Sequence, residues 1–352
     1  MLEAMRLRLR YGFPHMQPEI SIIIVSYDAR DLLAECLESV AQVAAGDGVS
    51  VETIVVDNAS SDGSADYVRA GWPTVKVIDA GRNGGMAAGN NVGMKAAAGR
   101  TFLLLNSDAH LQPGSLRGML EELDSAADVG LIGPLLRNVD GSLQRSIRGF
   151  PSPWRLATEF WYLRRLAPGT RLFDSFYGAG HAHDRSCDVE WVMGACMLVS
   201  RAAVDTVGLM NELYFMYSEE TEWQHALHRA GLRVRFTPAA EVVHLGGGTS
   251  RRNWGLMYRT QVANHVRVMA VTTSVSRARR VRRELVLALA LRSAIYSLAA
   301  LLPGRDAGAD RARATGFADA RRALLKLDVA ALATRDVPDW PATNAPSLPM
   351  TR

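Results

Sequence analysis

Residues 51–63 read VETIVVDNASSDG: an apolar, β-branched run, Val51 to Val56, breaks off at a carboxylate followed by turn-forming residues. That is the pattern of a buried strand leaving a sheet at its carboxyl end. Three runs of the same kind lie on either side of it, Ile20 to Ser26 (ISIIIVS), Val75 to Asp79 (VKVID) and Thr101 to Leu105 (TFLLL). Amphipathic stretches separate them. In the first, Leu32, Leu33, Cys36, Leu37, Val40 and Val43 recur at helical spacing, and Asp28 stands where it would cap the N-terminus. Strands alternating with helices predict an α/β fold, Rossmann-like, with a mainly parallel sheet and helices on both faces. Ligands of such sheets sit beyond the carboxyl ends of the strands, so the residues after each strand are where chemistry is to be sought.

The rest of the chain sets bounds on this reading. With 352 residues, 48% hydrophobic and 22% charged, a disordered or fibrous protein is excluded. The three cysteines, Cys36, Cys187 and Cys196, form no Cys-x-x-Cys pair, which argues against a disulfide framework or a zinc module and for a reducing compartment. The N-terminal MLEAMRLRLRYGFPHMQPE has no apolar core of seven or more residues, so no secretory signal is expected and the protein is expected to be cytoplasmic. Charge divides unevenly: residues 1–249 carry 22 Lys/Arg against 29 Asp/Glu, and residues 250–352 carry 18 against 7. A basic tail on an acidic body predicts a polyanionic surface as the partner of the tail. Residues 141–186 lose the strand–helix alternation and predict an irregular insertion over the sheet edge. The expected divisions are an extension at 1–19, a catalytic domain at 20–250 (nucleotide-binding half 20–133, acceptor half 134–250) and a basic helical region at 251–352.

The loops after the strands carry the chemistry. SYDARDLL follows the first strand with no G-x-G-x-x-G or G-x-x-x-x-G-K-S loop, which disfavours dinucleotide oxidoreductases and P-loop NTPases. Asp57 ends the second strand, where a carboxylate either accepts bonds from a nucleoside or serves a turn into a helix capped by Ser61 or Asp62. After the third strand, GRNGGMAAGNNVG supplies small residues for close backbone approach and neutral donors and acceptors at Asn83, Asn90 and Asn91. Asn106-Ser107-Asp108 ends the fourth strand, as either an Asx turn or a carboxylate able to hold Mg²⁺ or Mn²⁺ beside a diphosphate. Glu219 and Glu220 open a helix after Ser218; the helix dipole lowers a carboxylate pKa, whereas a general base needs desolvation by neighbours such as Tyr214, Phe215 and Tyr217. His244 ends the run AEVVH before three glycines and Arg251-Arg252, as either a core histidine or a ligand.

Taken in order, SIIIVSYDARDLLAECLESV, ETIVVDNASSDGS, GRNGGMAAGNNVGMKAA, FLLLNSDAHLQPGSL, VMGACMLVSRAAVDTVG and MYSEETEWQHALHRAGLRVRFTPAAEVVHLGGGTS resemble the bacterial family 2 inverting glycosyltransferases of the GT-A fold. The branch they are most similar to is the rhamnosyltransferase-like one that extends lipid-linked cell-envelope glycans. The resemblance covers roughly residues 20 to 250. It implies a nucleotide site of Ser26, Asp57, Asn83, Asn91 and Asn106, a Mg²⁺ or Mn²⁺ site of Asp108 and His244, and an acidic pair, Glu219-Glu220, whose second member is the base. Arg251 or Arg252 would assist the leaving diphosphate. Relatives usually read Glu-Asp-x-Asp where this chain reads Glu219-Glu220-Thr221-Glu222, and an added methylene shifts a carboxylate enough to alter attack geometry.

The implied donor is a nucleoside-diphosphate sugar, dTDP-rhamnose first and a UDP-sugar second, and the implied acceptor is a glycan on a polyprenyl diphosphate. A competing reading is a non-catalytic sugar-nucleotide-binding scaffold at the membrane. Arg277, Arg279, Arg280, Arg282 and Arg283 precede an apolar run, 285–302, broken by Arg292, so residues 277–302 are expected to meet an anionic membrane at its inner face or to lie in a helical bundle or oligomer interface. Nucleic acid is disfavoured because no aromatics interleave the basic run. Trp154, Trp161 and Tyr162 mark the segment expected to cover the acceptor.

Overall fold

Every residue of β1 (Ile20–Ser26) is buried, because the strand lies mid-sheet with both faces covered. The computed structural model that shows this describes residues 17–246, 254–338 and 340. β1 pairs in parallel with β2 (Val51–Asp57) and β4 (Thr101–Asn106), and β3 (Lys76–Asp79) adds in parallel to β2. Side chains alternate across the pleat. Ile20, Ile22 and Ile24 join one core with Leu33, Cys36, Leu37, Val40 and Val43 of α1 (Arg30–Asp47). Ile23 joins a second core with Ala87 and Met94 of α3 (Gly85–Ala96). A strand buried on both faces reads as a continuous apolar run, which is why its sequence shows no alternation.

The second half closes the sheet with mixed pairing. β11 (Cys196–Ser200) runs antiparallel between β4 and β6 (Val129–Arg137), and β12 (Arg233–His244) pairs in parallel with β6. The short β5 (Ala109–Leu111) runs antiparallel to the end of β12 and sets His244 opposite Ala109. The sheet is thus mainly parallel on one side and mixed on the other.

Two expected caps are replaced. α1 starts after Ala29 with no side-chain cap, and Asp28, at φ 47°, instead accepts hydrogen bonds from the Ser61 N–H at 2.6 Å and the Ser61 hydroxyl. The loops after β1 and β2 pack against each other, so their polar groups pair across the gap. α2 (Ser64–Gly71) has Gly63 at its cap position, while Asp62, one residue earlier, accepts from the Ser64 N–H at 3.0 Å.

Residues 141–186 do more than lie over the sheet. β7 (Leu143–Gln144) pairs with β6, and β8 (Ile147–Arg148) pairs with β10 (Trp191–Val192). Leu156 and Phe160 of α5 (Pro153–Phe160) enter a third core with Phe176 and the C-terminal helices α8 (Trp254–Thr272), α9 (Val275–Ala299) and α10 (Ala307–Lys326). Arg292 of α9 is buried there, donates to the carbonyl oxygens of Phe160 and Glu159, and stacks on Tyr162 at 4.0 Å. Trp161 packs against the same core, whereas Trp154 is exposed. Among the described residues, no helix is long and apolar enough to cross a membrane.

Candidate active site

The carboxyl ends of β1 and β2 meet at Ser26 and Asp57, which are register partners. Asp57 Oδ2 accepts the Ser60 N–H at 3.0 Å, leaving Oδ1 without a partner. Ser26 Oγ and Asn58 Oδ1 are also buried without one. Buried polar atoms are normally hydrogen-bonded, so three orphans at one strand edge make that edge a candidate for meeting a polar ligand. Asn58 Nδ2 is held by the Gly85 carbonyl at 3.0 Å, which turns its oxygen toward that edge.

The asparagine-rich turn divides its labour. Asn83 Oδ1 accepts the Gly85 N–H at 3.1 Å and closes the turn. Gly85 has φ +84°, and a Cβ there would lie 1.9 Å from the Phe215 carbonyl oxygen, so only glycine brings α3 against the 214–217 loop. Asn91 corrects its expected role. Its side chain is buried, donates to the Met210 carbonyl and Glu212 Oε1, both at 2.9 Å, and accepts the Met210 N–H at 2.9 Å. Both of its amide hydrogens and one lone pair of its oxygen are committed to shaping the loop. Asn90, one residue earlier, faces the cavity instead.

That cavity, about 240 Å³, is bounded by Asn90, Asn106, Asp108, Met193, Glu220 and His244 among others. The β5–β12 pairing brings Asp108 and His244 together: His244 Nε2 lies 3.2 Å from Asp108 Oδ1 and 3.4 Å from Asn106 Nδ2. The ring is oriented from behind by Gln144. Its Nε2 donates to Asn138 Oδ1 at 2.9 Å and the His244 carbonyl at 3.2 Å, so its Oε1 must accept from His244 Nδ1, at 2.7 Å. The network therefore assigns the neutral ring's proton to Nδ1 and points the Nε2 lone pair at a carboxylate oxygen. Two lone pairs at that distance repel unless a proton or a cation stands between them. A carboxylate and an imidazole oriented by an outer acceptor suit a divalent cation whose other positions are filled by diphosphate oxygens and water. Among the described residues, no group of three or more His, Cys, Asp or Glu side chains could enclose a metal ion alone.

Opposite this pair, α7 (Glu219–Arg229) opens directly on the two glutamates. Tyr217 and Ser218 before it have φ of 67° and 73°, a left-handed conformation costing roughly 1–2 kcal/mol per non-glycine residue and recurring at functional sites. Ser218 consequently makes no side-chain cap. Glu219 Oε2 and Glu220 Oε2 are buried with no hydrogen-bond partner. Burial pushes the Glu220 carboxyl up to about 7, against the pull of the helix-start N–H groups and of Arg148. Burial, with Glu220 beside it, also pushes Glu219 well above the usual carboxylate range. Desolvation therefore outweighs the helix dipole here.

Ser26, Asp57, Asn83, Asn106, Asp108, Glu219, Glu220 and His244 thus gather at one end of the sheet, while Arg251 and Arg252 lie outside the described residues. Sequence reasoning missed Asn58, Gln144 and Arg148. Asn58 stood in the quoted turn; nothing local distinguishes Gln144, which is 100 residues from the histidine it orients.

Residues 21–190 match glycosyl transferase family 2. This stretch is a glycosyl transferase family 2 domain. The chain is 29% identical over 222 residues to the N-acetylglucosaminyl-diphospho-decaprenol L-rhamnosyltransferase of Mycobacterium tuberculosis, covering 55% of this chain and 66% of that protein. It is 25% identical over 233 residues to a low-salt glycan biosynthesis hexosyltransferase of Haloferax volcanii, covering 65% and 68%. The chain therefore spans just under two thirds of the first of these relatives. Among solved structures, the mannosyltransferase PcManGT from Pyrobaculum calidifontis, in complex with GDP-Man and Mn²⁺, is similar with a TM-score of 0.54 and 16% identity, over 92% of this chain and 93% of that one. At that identity the likeness is one of fold. The family 2 domain, with the sheet and helices around it, has the GT-A fold.

Proposed function

We propose that this chain is an inverting glycosyltransferase that moves a sugar from a nucleoside-diphosphate donor to a hydroxyl of a lipid-linked cell-envelope glycan. The observation that carries the reading is Glu220: a carboxyl raised to about 7 by burial, on the wall of the cavity that Asp108 and His244 also line. Such a group is matched to taking a proton near neutrality. The acceptor oxygen attacks the anomeric carbon, its proton passes to Glu220, and the bond to the nucleoside diphosphate breaks on the opposite face. The products are the inverted glycoside and the nucleoside diphosphate. The orphaned atoms of Ser26, Asp57 and Asn58 receive the nucleoside, with Asn106 at the diphosphate end. Asp108 and His244 would hold Mg²⁺ or Mn²⁺, which supplies Lewis-acid stabilisation of charge on the diphosphate.

The first relative's name supports L-rhamnose as the sugar, hence dTDP-rhamnose as donor, and a sugar-diphospho-polyprenol as acceptor. Helix α9 supports a site at the cytoplasmic membrane face. Arg280, Arg283, Leu287, Leu291 and Leu298 fall on one stripe, basic at its start and apolar beyond, and all are exposed, as in helices that lie in a lipid interface. In this reading the sheet is the catalytic part and the C-terminal helices the lipid-facing part.

Calorimetric titration with dTDP and UDP, with and without Mn²⁺, on wild type, Asp108→Asn and Glu220→Gln tests the assignment. Metal-dependent binding lost in Asp108→Asn but kept in Glu220→Gln, together with loss of transfer in Glu220→Gln, is expected. Binding of neither nucleotide to the wild type would overturn it.

A further inference from the structure

Beyond the catalytic cavity, the 141–186 insertion builds a second one, of about 480 Å³, whose walls include Gln144, Arg145, Arg148, Arg164, Asp174 and Tyr177. Two residues belong to both neighbourhoods. Gln144 orients His244. Arg148 places Nη2 3.1 Å from Met193 Sδ, on the catalytic cavity wall, and its charge acts on the Glu220 carboxyl. The same guanidinium stacks on Tyr177 at 4.8 Å, as does that of Arg164 at 4.4 Å.

The charges around this second cavity do not balance locally. Arg145 pairs with Asp174 at 3.2 Å, and Arg164 with Glu159 at 3.2 Å and Asp174 at 3.8 Å. Arg148, the most enclosed of the three, makes no ion pair at contact distance among the described residues, the Asp174 carboxylate acting on it only from farther off, and its Nη1 is buried without a hydrogen bond. A desolvated guanidinium beside two other cations is unfavourable until an anion meets it, and its planar fork suits phosphate oxygens.

We propose that this cavity binds the diphosphate of the acceptor, with Arg148 as its central ligand through Nη1 and Arg145 and Arg164 as flanking cations. The inference rests on the reading of the acceptor as a sugar carried on a polyprenyl diphosphate. In such a molecule the diphosphate lies one sugar ring from the hydroxyls. Arg148, shared between the cavities, then fixes which hydroxyl can reach Glu220. Its positive charge also pairs with the acceptor's negative one, so acceptor binding removes part of the pull that Arg148 exerts on the Glu220 carboxyl and makes the base stronger.

The test uses the full chain with its nucleotide site filled by dTDP and Mg²⁺, titrated calorimetrically with geranyl diphosphate or inorganic pyrophosphate. Geranyl diphosphate is expected to bind wild type more tightly than pyrophosphate does, about tenfold more weakly to Arg148→Gln and about threefold more weakly to Arg145→Gln. Arg145→Gln is the variant less costly to the fold, since Asp174 keeps Arg164 and the Gly169 N–H as partners, and dTDP affinity should be the same in all three proteins. Failure of the wild type to bind geranyl diphosphate, or equal binding by both variants, overturns the subsite. Pyrophosphate binding as tight as geranyl diphosphate overturns its assignment to a lipid-linked acceptor. Loss of dTDP binding by the wild type alongside Arg148-dependent geranyl diphosphate binding would instead sink the donor reading and leave the anion subsite standing.

Discussion

Asn264 of α8 donates both hydrogens of its side-chain amide to the loop that precedes the glutamates, at 2.9 Å to the Met216 carbonyl and 2.8 Å to that of Tyr217. The C-terminal bundle therefore holds the strained backbone from which Glu219 and Glu220 project. A second tie comes from farther along the chain, where Arg335 Nε lies 2.5 Å from Glu222 Oε1 while Asn211 Nδ2 donates to Glu222 Oε2 at 2.9 Å.

Asn264→Ala releases two backbone carbonyls and lets Tyr217 and Ser218 relax out of the left-handed region. It should cost about 1–3 kcal/mol of stability and lower kcat at least about tenfold through misplacement of the base, with dTDP affinity unchanged. Arg335→Ala should cost about 1–3 kcal/mol, because it leaves a buried carboxylate with the Asn211 amide alone. Chemical denaturation and single-turnover kinetics measure the two effects separately, and an unaltered kcat in Asn264→Ala would contradict the positioning role.

The pH dependence of turnover follows from the raised Glu220 carboxyl. A base must be ionised to accept a proton, so kcat/KM should climb through about pH 7 and level off above it. In Glu220→Gln that limb disappears and the rate falls by about 10²–10⁴. A wild-type profile flat from pH 5 to 8 would move the base elsewhere.

Glu219 bears on stability instead. Its folded pKa lies above its unfolded value, so the protonated group favours the fold at low pH and that advantage is lost as pH rises through the shifted value. Glu219→Gln removes the penalty of ionising a buried carboxyl. Its melting temperature, relative to wild type, should rise more at pH 8 than at pH 5, and scanning calorimetry at both values decides.

Gln144→Leu removes the acceptor that orients His244. Mn²⁺-dependent dTDP affinity should fall by about 10–100-fold, the usual effect of losing an outer-sphere partner, while metal-free affinity stays the same. An equal loss with and without Mn²⁺ would show that Gln144 acts on the fold alone.

Replacing Leu287, Leu291 and Leu298 together by serine should weaken sedimentation with anionic vesicles with little effect on stability, since these side chains are exposed. Replacing Arg280 and Arg283 by glutamine should remove about 2 kcal/mol of attraction and flatten its salt dependence. Vesicle binding indifferent to both sets would place the lipid contact on another surface.

The strands were legible because burial on both faces demands apolar runs, as Ile22 to Val25 and Ile54 to Val56 show, and their carboxyl ends located Ser26, Asp57, Asn106 and Asp108. Caps were less legible. Asp28 has the right residue type at the right offset, yet a donor from the neighbouring loop, the Ser61 N–H, competes for it. Asn91 was misread for a similar reason: its composition suits a ligand, but residues more than a hundred positions away satisfy it first.

By itself, the order of strands, turns and acidic residues determined the α/β class, the end of the sheet where the polar side chains gather and the glutamate pair that opens α7. These are local properties, set by periodicity and by what a chain must do where a strand ends. Only the tertiary structure decided that burial overrides the helix dipole at Glu220, that Gln144 orients His244, that Asn264 and Arg335 hold the loop and helix start that carry the glutamates, and that Arg148 faces two cavities at once. Desolvation and through-space pairing depend on which distant segments meet, and no local pattern in the chain encodes that meeting.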